Sequence, residues 1–174
     1  MSVPPPVAPP DDAARRAWIG LGGNVGDVAA TFASARTALE ATAGVRVVND
    51  SRLYRTPAWG VTDQPDFINA VLELRTTLAP LALLDRLQAI ERAHGRDRAR
   101  EQRWGPRTLD LDLLAFNDVV LDTPALQLPH PRLAERAFVL VPWAEIAPDL
   151  ALPGLGRIAD RRAALDRSGI EAIP

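Results

Sequence analysis

The sequence of 174 residues contains neither cysteine nor lysine. Without cysteine, the chain cannot form disulfides, thiolate zinc sites or a cysteine nucleophile, and nothing indicates an oxidising compartment. Without lysine, it cannot supply the lysine of a P-loop, the strand lysine of a protein kinase or a Schiff-base amine. All 20 basic side chains are arginine. Any contact with phosphate must therefore come from arginine, backbone amides or a metal ion.

Histidines, aromatic residues and long apolar runs are also scarce. The chain has two histidines, His94 and His130, so a metal site must rely mainly on carboxylates. Aromatic residues make up 5% and the net charge is −2, which argues against a general nucleic-acid binder. No apolar run approaches membrane-spanning length and no signal peptide is evident. We expect a cytoplasmic protein that binds neither membrane nor nucleic acid.

The length and the 47% hydrophobic content fit a single domain with its own core. Residues 1–15 hold five of the sixteen prolines and almost no large apolar side chains. We expect these residues to form a disordered tail. The single domain is then predicted over residues 16–174.

Strand and helix signals alternate along this domain. Strands are predicted over 17–22, 45–55, 68–76 and 109–116, and helices over 28–43 and 80–94. The order strand, helix, strand, strand, helix, strand predicts an α+β, ferredoxin-like fold, with an antiparallel sheet and helices packed on one face.

The C-terminal part is predicted to add a hairpin and helices to this fold. Asn117 and Asp118 resemble the tight turn of a hairpin into residues 119–121. Beyond Pro131 we expect two helical pieces, with Pro142 in the first turn of the second, and a short helix over 159–168.

Two carboxylates in an apolar run, Asp110 and Asp112, are the main chemical signal. On a strand, residues two apart project to the same face, roughly 6 to 7 Å from each other, while Leu109, Leu111 and Leu113 face the core. Such a pair favours a hard cation such as Mg²⁺. Arginines from the preceding loop could bind phosphate beside it. The alternative is an exposed strand face that carries two solvated aspartates.

Five motifs occur in an order and spacing that carry a family resemblance. They are residues 20–27 (Gly-Leu-Gly-Gly-Asn-Val-Gly-Asp), 54–57 (Tyr-Arg-Thr-Pro), 63–70 (Asp-Gln-Pro-Asp-Phe-Ile-Asn-Ala), 103–112 (Arg-Trp-Gly-Pro-Arg-Thr-Leu-Asp-Leu-Asp) and 129–132 (Pro-His-Pro-Arg). Together they resemble the 6-hydroxymethyl-7,8-dihydropterin pyrophosphokinase family.

The resemblance covers about residues 17–150 and implies a reaction of folate biosynthesis. It implies transfer of the β,γ-diphosphate of ATP to the hydroxymethyl group of a reduced pterin, with release of AMP. Two Mg²⁺ ions, held by Asp110 and Asp112, are expected to bridge the phosphates. The family is typically monomeric. A general base is not assigned.

The resemblance also implies roles for individual residues. Expected at the catalytic centre are Arg98, Arg107, Asp110 and Asp112. Expected to contact the nucleotide are Gln88, Glu91, Arg98, Arg103, Trp104, Arg107, His130 and Arg136. Expected around the pterin are Thr56, Pro57, Trp59, Gly60, Phe67, Asn69 and Phe138. Phe67 and Phe138 would stack on the ring, and the Asn69 amide would pair with its polar edge.

Three other classes remain open. A nucleotidyl transferase could use the same aspartate pair, but it would release pyrophosphate instead of AMP. A ferredoxin-like binding module for nucleic acid would need exposed strand aromatics and a basic face. A homologue that has lost activity is the third, although the acids, Asn69 and the main arginines are present.

Overall fold

The structure, a computed structural model, describes residues 14–58, 62–97, 99 and 105–174. Its centre is an antiparallel sheet of six strands. These strands are β1 (Arg15–Gly23), β2 (Val45–Asp50), β3 (Tyr54–Thr56), β4 (Phe67–Thr76), β5 (Asp110–Phe116) and β10 (Glu171–Ala172). Two short ribbons are formed by β6 (Leu121–Asp122) with β7 (Gln127–Leu128), and by β8 (Ala151–Leu152) with β9 (Gly156–Arg157). The α+β class is therefore confirmed.

The sheet runs in the order β10-β3-β4-β1-β5, and β2 also pairs with β4. Strands β2 and β3 follow each other along the same edge of β4, where one strand over 45–55 was predicted. The break occurs at Ser51. The Ser51 hydroxyl accepts the Val71 N–H at 2.9 Å and so replaces a backbone carbonyl in the ladder. A side chain thus interrupts the expected strand.

Two long helices cover one face of the sheet. They are α1 (Val28–Glu40), capped by Asp27 through its bond to the Ala30 N–H, and α2 (Pro80–Ala93). Positive φ angles at Gly44 and Gly95 turn the chain away shortly after each helix. Buried residues of both helices pack with the strands around Ile19, and Leu109, Leu111 and Leu113 of β5 belong to this core, as the sequence predicts.

Two further helices, α3 (Ala137–Ile146) and α4 (Ile158–Ala163), cover the opposite face. Trp18 of β1 and Trp143 of α3 lie at its centre, with ring centroids 5.8 Å apart. The helices of the protein therefore cover both faces, and α3 and α4 leave part of the second face open for a site.

Three features of the C-terminal part differ from the predictions. The tight turn at Asn117–Asp118 is present, with the Val119 N–H donating to the Phe116 carbonyl at 3.0 Å, but residues 119–121 form no hairpin with β5, because β6 pairs with β7 and Asn117 bonds the backbone of Arg16 in both directions, at 2.7 and 2.8 Å. Pro142 lies inside α3, because this helix begins at Ala137. The last helix, α4, is also shorter than the predicted 159–168.

Residues 1–13 of the predicted tail lie outside the described part, and β1 already begins at Arg15. Within the described ranges, no helix combines the length and apolar character needed to cross a membrane.

Candidate active site

The site lies on the open part of the second sheet face, along a row of three facing residues. Asn69 of β4 lies opposite Gly22 of β1, which in turn lies opposite Asp110 of β5. Directly opposed residues of antiparallel strands project to the same side. A Cβ at Gly22 would lie 3.0 Å from the Asn69 Oδ1 and 3.8 Å from the Asp110 Cβ. The missing side chain of Gly22 therefore leaves a gap between an amide and a carboxylate.

Asp112 lies in the next row, opposite Gly20 of β1. The side chains of Asp110 and Asp112 are 21% and 29% exposed, whereas Leu109, Leu111 and Leu113 are buried under α1 and α2. The alternation along β5 is therefore as the sequence predicts. Both carboxylates can be reached from the cleft.

Arginines approach Asp110 from two positions of the loop before β5. Arg96 Nη1 lies 2.6 Å from Asp110 Oδ1, and Arg107 Nη1 lies 3.3 Å from Asp110 Oδ2. The Arg96 side chain is only 3% exposed and also contacts the buried carboxylate of Glu91. Glu91 in turn accepts the Leu111 N–H of β5 at 2.9 Å. This chain of contacts fixes Asp110 relative to α2.

Arg96 is a site residue that the sequence reasoning missed. It stands directly after Gly95 in a loop with several arginines, and no local pattern separates it from its neighbours. What distinguishes it is the distance to Asp110, fourteen positions away, which only the folded chain shows. Glu91, by contrast, was expected to contact the nucleotide, and its buried carboxylate lies next to Arg96.

The carboxyl of Asp112 has a strongly raised pKa. Burial, and next the negative charge of Asp110, raises the pKa of Asp112 to about 7, against the opposing effect of Arg136. Arg136 Nη1 lies 3.7 Å from Asp112 Oδ2. Two carboxylates that resist joint ionisation fit a divalent cation, which would relieve their repulsion.

The donor set suits a hard cation that keeps other oxygen ligands. Among the residues that the structure describes, no group of three or more histidine, aspartate or glutamate side chains could hold a metal ion. The protein thus offers two carboxylates, and Mg²⁺ is commonly bound by one or two carboxylates together with water and substrate phosphates.

A cavity of about 430 Å³ opens beside Asp112. Gln88 of α2 and His130 are among its lining residues, and segment 123–127 closes another side. Burial, and next the charge of Arg136, lowers the pKa of His130 to about 4, so its imidazole is neutral near pH 7. Three of the residues expected around a nucleotide, Gln88, His130 and Arg136, thus lie next to Asp112.

Three of the residues expected around the pterin, Thr56, Phe67 and Asn69, lie on the β3–β4 side of Gly22, whereas the Phe138 ring lies 5.7 Å from the Arg136 guanidinium. Asn69 Nδ2 donates to Thr56 Oγ1 at 2.9 Å, and both residues are buried. Phe67 faces Thr56 across the β3–β4 pair, and Phe138 lies in the first turn of α3. Both rings are half-buried, and within the described part they make no ring–ring contact with each other.

Pro57 is exposed just beyond β3. It packs against Gly169, where a Cβ would lie 2.9 Å from the Pro57 Cγ. Five further predicted site residues lie outside the described part of the chain: Trp59, Gly60, Arg98, Arg103 and Trp104.

Asn24 is a second residue whose role the sequence did not indicate. The glycine-rich turn around it is interpretable from sequence only as structural. Its buried amide accepts the Arg107 N–H at 2.9 Å and donates to Gln64 Oε1 and to the Pro65 carbonyl, each at 3.0 Å. Asn24 therefore joins the segment before β4 to the segment that carries Arg107.

An acidic pair with arginine partners at the mouth of a cleft is typical of enzymes that transfer phosphate groups. A sequence profile described as 7,8-dihydro-6-hydroxymethylpterin-pyrophosphokinase (HPPK) matches residues 18–148. The chain therefore belongs to the HPPK family.

Individual relatives agree with this assignment. A 2-amino-4-hydroxy-6-hydroxymethyldihydropteridine pyrophosphokinase of Methylorubrum extorquens is 51% identical over 158 residues, which are 91% of this chain and 98% of that protein. The protein of the same name from Pseudomonas aeruginosa is 46% identical over 160 residues, 92% of this chain and 98% of its own length.

The fold is also similar to that of a larger solved protein. The crystal structure of wild-type Plasmodium falciparum HPPK-DHPS with pteroate matches with a TM-score of 0.70 at 14% identity. The match covers 86% of this chain and 42% of the solved one, so this chain spans less than half of it. At this identity the likeness supports the fold alone.

Proposed function

We propose that this enzyme transfers the β,γ-diphosphate of ATP to the hydroxymethyl group of 6-hydroxymethyl-7,8-dihydropterin, in folate biosynthesis. The products are the pterin diphosphate and AMP. The observation that carries the proposal is the row of Asn69, Gly22 and Asp110 across three strands. It brings an amide suited to a pterin edge and a carboxylate suited to a metal to one cleft, with no side chain between them.

On the nucleotide side, the protein supplies charge and shape. Asp110 and Asp112 would hold Mg²⁺, two ions on our proposal, which supply positive charge to the phosphates when bound. Arg107 and Arg98 would neutralise the charge that develops on the transferred group. Gln88, Arg103, Trp104, His130 and Arg136 would bind the rest of the nucleotide, whereas the buried Glu91 carboxylate would act on this site only through its contact with Arg96. The neutral His130 can donate or accept one hydrogen bond there without adding a charge.

On the pterin side, the protein supplies orientation. Thr56 holds one N–H of Asn69, which leaves the amide oxygen and a second N–H for the substrate. Phe67 and Phe138 would stack on the two faces of the ring, and Pro57, Trp59 and Gly60 would complete the pocket. A hydroxyl held in this way next to the bound phosphates reacts mainly because it is correctly placed.

The proposal also covers the fold topology, the domain bounds and the oligomeric state. A ferredoxin-like topology is supported by β1 and β4 at the centre of the sheet, with β5 next to β1 and β2 and β3 next to β4. We further propose that residues 16–174 form one domain, which acts as a monomer in the cytoplasm without nucleic acid or membrane.

Product analysis tests the reaction. The protein is incubated with ATP, Mg²⁺ and the reduced pterin alcohol, and nucleotide products are separated by ion-exchange chromatography. AMP should form in proportion to the pterin diphosphate, and only when the pterin is present. ADP as the product would contradict the proposal. Release of pyrophosphate from ATP would instead support a nucleotidyl transferase.

A further inference from the structure

A carboxylate on α3 is tied to strand β3 by several hydrogen bonds. The Tyr54 hydroxyl donates a short hydrogen bond to Glu145 Oε2. The backbone N–H and the Nε of Arg52 both reach Glu145 Oε1, each at 3.2 Å. Tyr54 is 7% exposed and the Glu145 side chain 25%. One partly buried acid thus connects a helix to residues 52–54 of the sheet edge.

The protonation states suit this connection. Burial alone would raise the pKa of Glu145, but the hydrogen bonds from Tyr54 and Arg52 lower it, so the carboxylate is ionised at neutral pH. Burial, and next the bond to Glu145, raises the pKa of the Tyr54 phenol, which therefore keeps its proton. A neutral donor and a charged acceptor make one of the stronger kinds of hydrogen bond in proteins.

On the sheet, the connection ends next to the proposed pterin pocket. Tyr54 lies opposite Asn69 in the β3–β4 pair. Tyr54 and Thr56 are two apart on one strand and project to the same face. Thr56 Oγ1 accepts the Asn69 amide at 2.9 Å. The strand residue that Glu145 holds is thus a direct neighbour of the Thr56–Asn69 wall.

On the helix, the connection shares a face with Phe138. Phe138 and Glu145 are seven residues apart, which is close to two full turns, so both project to the same side of α3. Pro142 lies between them and has no N–H to donate to the Phe138 carbonyl. The turn that carries Phe138 therefore depends more than usual on anchors outside the helix.

We propose that Glu145 and Tyr54 are a positioning pair that sets the distance between Phe138 on α3 and the Thr56–Asn69 wall on β3 and β4. The pair thereby tunes the affinity for the flat pterin ring more strongly than the affinity for the nucleotide. This inference rests on the proposed function. It concerns two residues that the reaction itself does not require.

Steady-state kinetics with both substrates tests the pair. The variants Tyr54→Phe and Glu145→Ala each remove the bond, and each should raise KM for the pterin roughly tenfold. KM for ATP should rise clearly less than KM for the pterin, because Asp112 and His130 lie in other elements and only Arg136 adjoins α3. Glu145→Gln keeps an oxygen acceptor for the phenol and should restore most of the pterin affinity. The double variant Tyr54→Phe, Glu145→Ala should be no worse than either single one.

Two control variants separate positioning from a general loss of stability. Ile158→Val removes one methyl group from the apolar cluster between α3 and α4. Asp149→Asn removes the exposed ion pair with Arg157. Neither control should change the ratio of the two KM values, although Ile158→Val should lower Tm.

Failure of this inference can be distinguished from failure of the proposed function. If the unsubstituted protein turns over normally and Tyr54→Phe and Glu145→Ala leave KM for the pterin unchanged, or raise both KM values equally, the inference is wrong. If the unsubstituted protein forms no AMP in a pterin-dependent reaction, the proposed function fails and the inference with it.

Discussion

At the scale of single residues, Gly22 determines what the cleft can hold. Its neighbours across the sheet are the Asn69 amide and the Asp110 carboxylate, and a methyl group added at Gly22 would press on the Asn69 oxygen at 3.0 Å. The sequence predicts Gly22 as the last residue of a strand, before a glycine-rich turn. Its position between the Asn69 amide and the Asp110 carboxylate depends on strands that are distant in sequence.

The Gly22→Ala variant should bind the pterin about tenfold more weakly, because Asn69 must shift from its bond with Thr56. Pterin affinity can be measured by isothermal titration calorimetry. Gly20→Ala is the control, since a Cβ there meets only the flexible Leu114 side chain, at 3.3 Å. Equal effects on pterin affinity in both variants would contradict this account.

Arg96 shows why buried charge pairs are difficult to predict from sequence. Its partners, Glu91 and Asp110, are five and fourteen positions away, on a helix and on a strand. Arg96→Met should destabilise the protein by about 3 kcal/mol, because it leaves the Glu91 carboxylate buried without this cation.

Urea unfolding measures this loss. The double variant Arg96→Met, Glu91→Gln should recover part of the stability, since it no longer buries the charge. If the double variant is instead less stable than Arg96→Met by the full unfolding free energy that Glu91→Gln alone costs, then the charge of Glu91 is not the origin of the destabilisation.

The raised pKa of Asp112 predicts how stability depends on pH in the absence of divalent cations. Because the folded-state pKa of about 7 lies above the ordinary 3.8, folding favours the protonated acid. The resulting stabilisation is complete below about pH 4 and is lost as the pH rises through 7.

Relative to Asp112→Asn, the unsubstituted protein in EDTA should therefore lose about 1 to 2 kcal/mol of unfolding free energy between pH 5 and 8; partial exposure of the side chain reduces the full effect. Asp85→Asn, on the exposed side of α2, should show no such difference. A pH-independent difference between Asp112→Asn and the unsubstituted protein would show that Asp112 has an ordinary pKa.

At the scale of elements, periodicity predicted most of the structure. The core alternation along β5 and the apolar stripe of α2 are both present, because local spacing alone decides which face is buried. The elements that were predicted wrongly depend on tertiary contacts, which local spacing does not show. Ser51 divides the expected strand by bonding Val71, and Asn117 bonds Arg16 where a hairpin was expected. Pro142 was predicted in the first turn of a helix, where proline is favoured, yet it lies inside α3.

Asn24 is hydrogen-bonded to two loop segments, residues 62–66 and 105–108. Two different substitutions of Asn24 should therefore affect the two segments differently. In Asn24→Ala, amide hydrogen exchange should increase both at residues 62–66 and at 105–108, because both bonds are lost. Asn24→Asp keeps an oxygen for the Arg107 N–H but cannot donate to Gln64 and Pro65.

Exchange in Asn24→Asp should therefore increase at residues 62–66 and stay low at Arg107. Hydrogen exchange read by mass spectrometry resolves the two segments. Equal exchange in both segments of Asn24→Asp would show that they do not depend on separate bonds.

At the scale of the whole molecule, helices cover both faces of one sheet, and α3 and α4 leave part of the second face accessible. Asp110 and Asp112, proposed for the metal and nucleotide, and Thr56, Phe67 and Asn69, proposed for the pterin, lie on opposite sides of β1 in this sheet. The sequence predicted both sets through ordered motifs, whereas the contacts that hold them together, through Arg96, Asn24 and Glu145, required the folded chain. Function thus follows from two half-sites that one sheet brings together.

We propose that Asp110 and Asp112 hold the metal ions that enable transfer of diphosphate to a pterin. The most direct measurement is AMP formation from ATP, with Mg²⁺ and the reduced pterin alcohol, in the unsubstituted protein and in Asp110→Asn and Asp112→Asn. We predict pterin-dependent AMP formation that falls by at least about a hundredfold in each variant, with unchanged circular dichroism. Undiminished AMP formation in a folded Asp110→Asn or Asp112→Asn variant, or ADP as the product, would contradict the account.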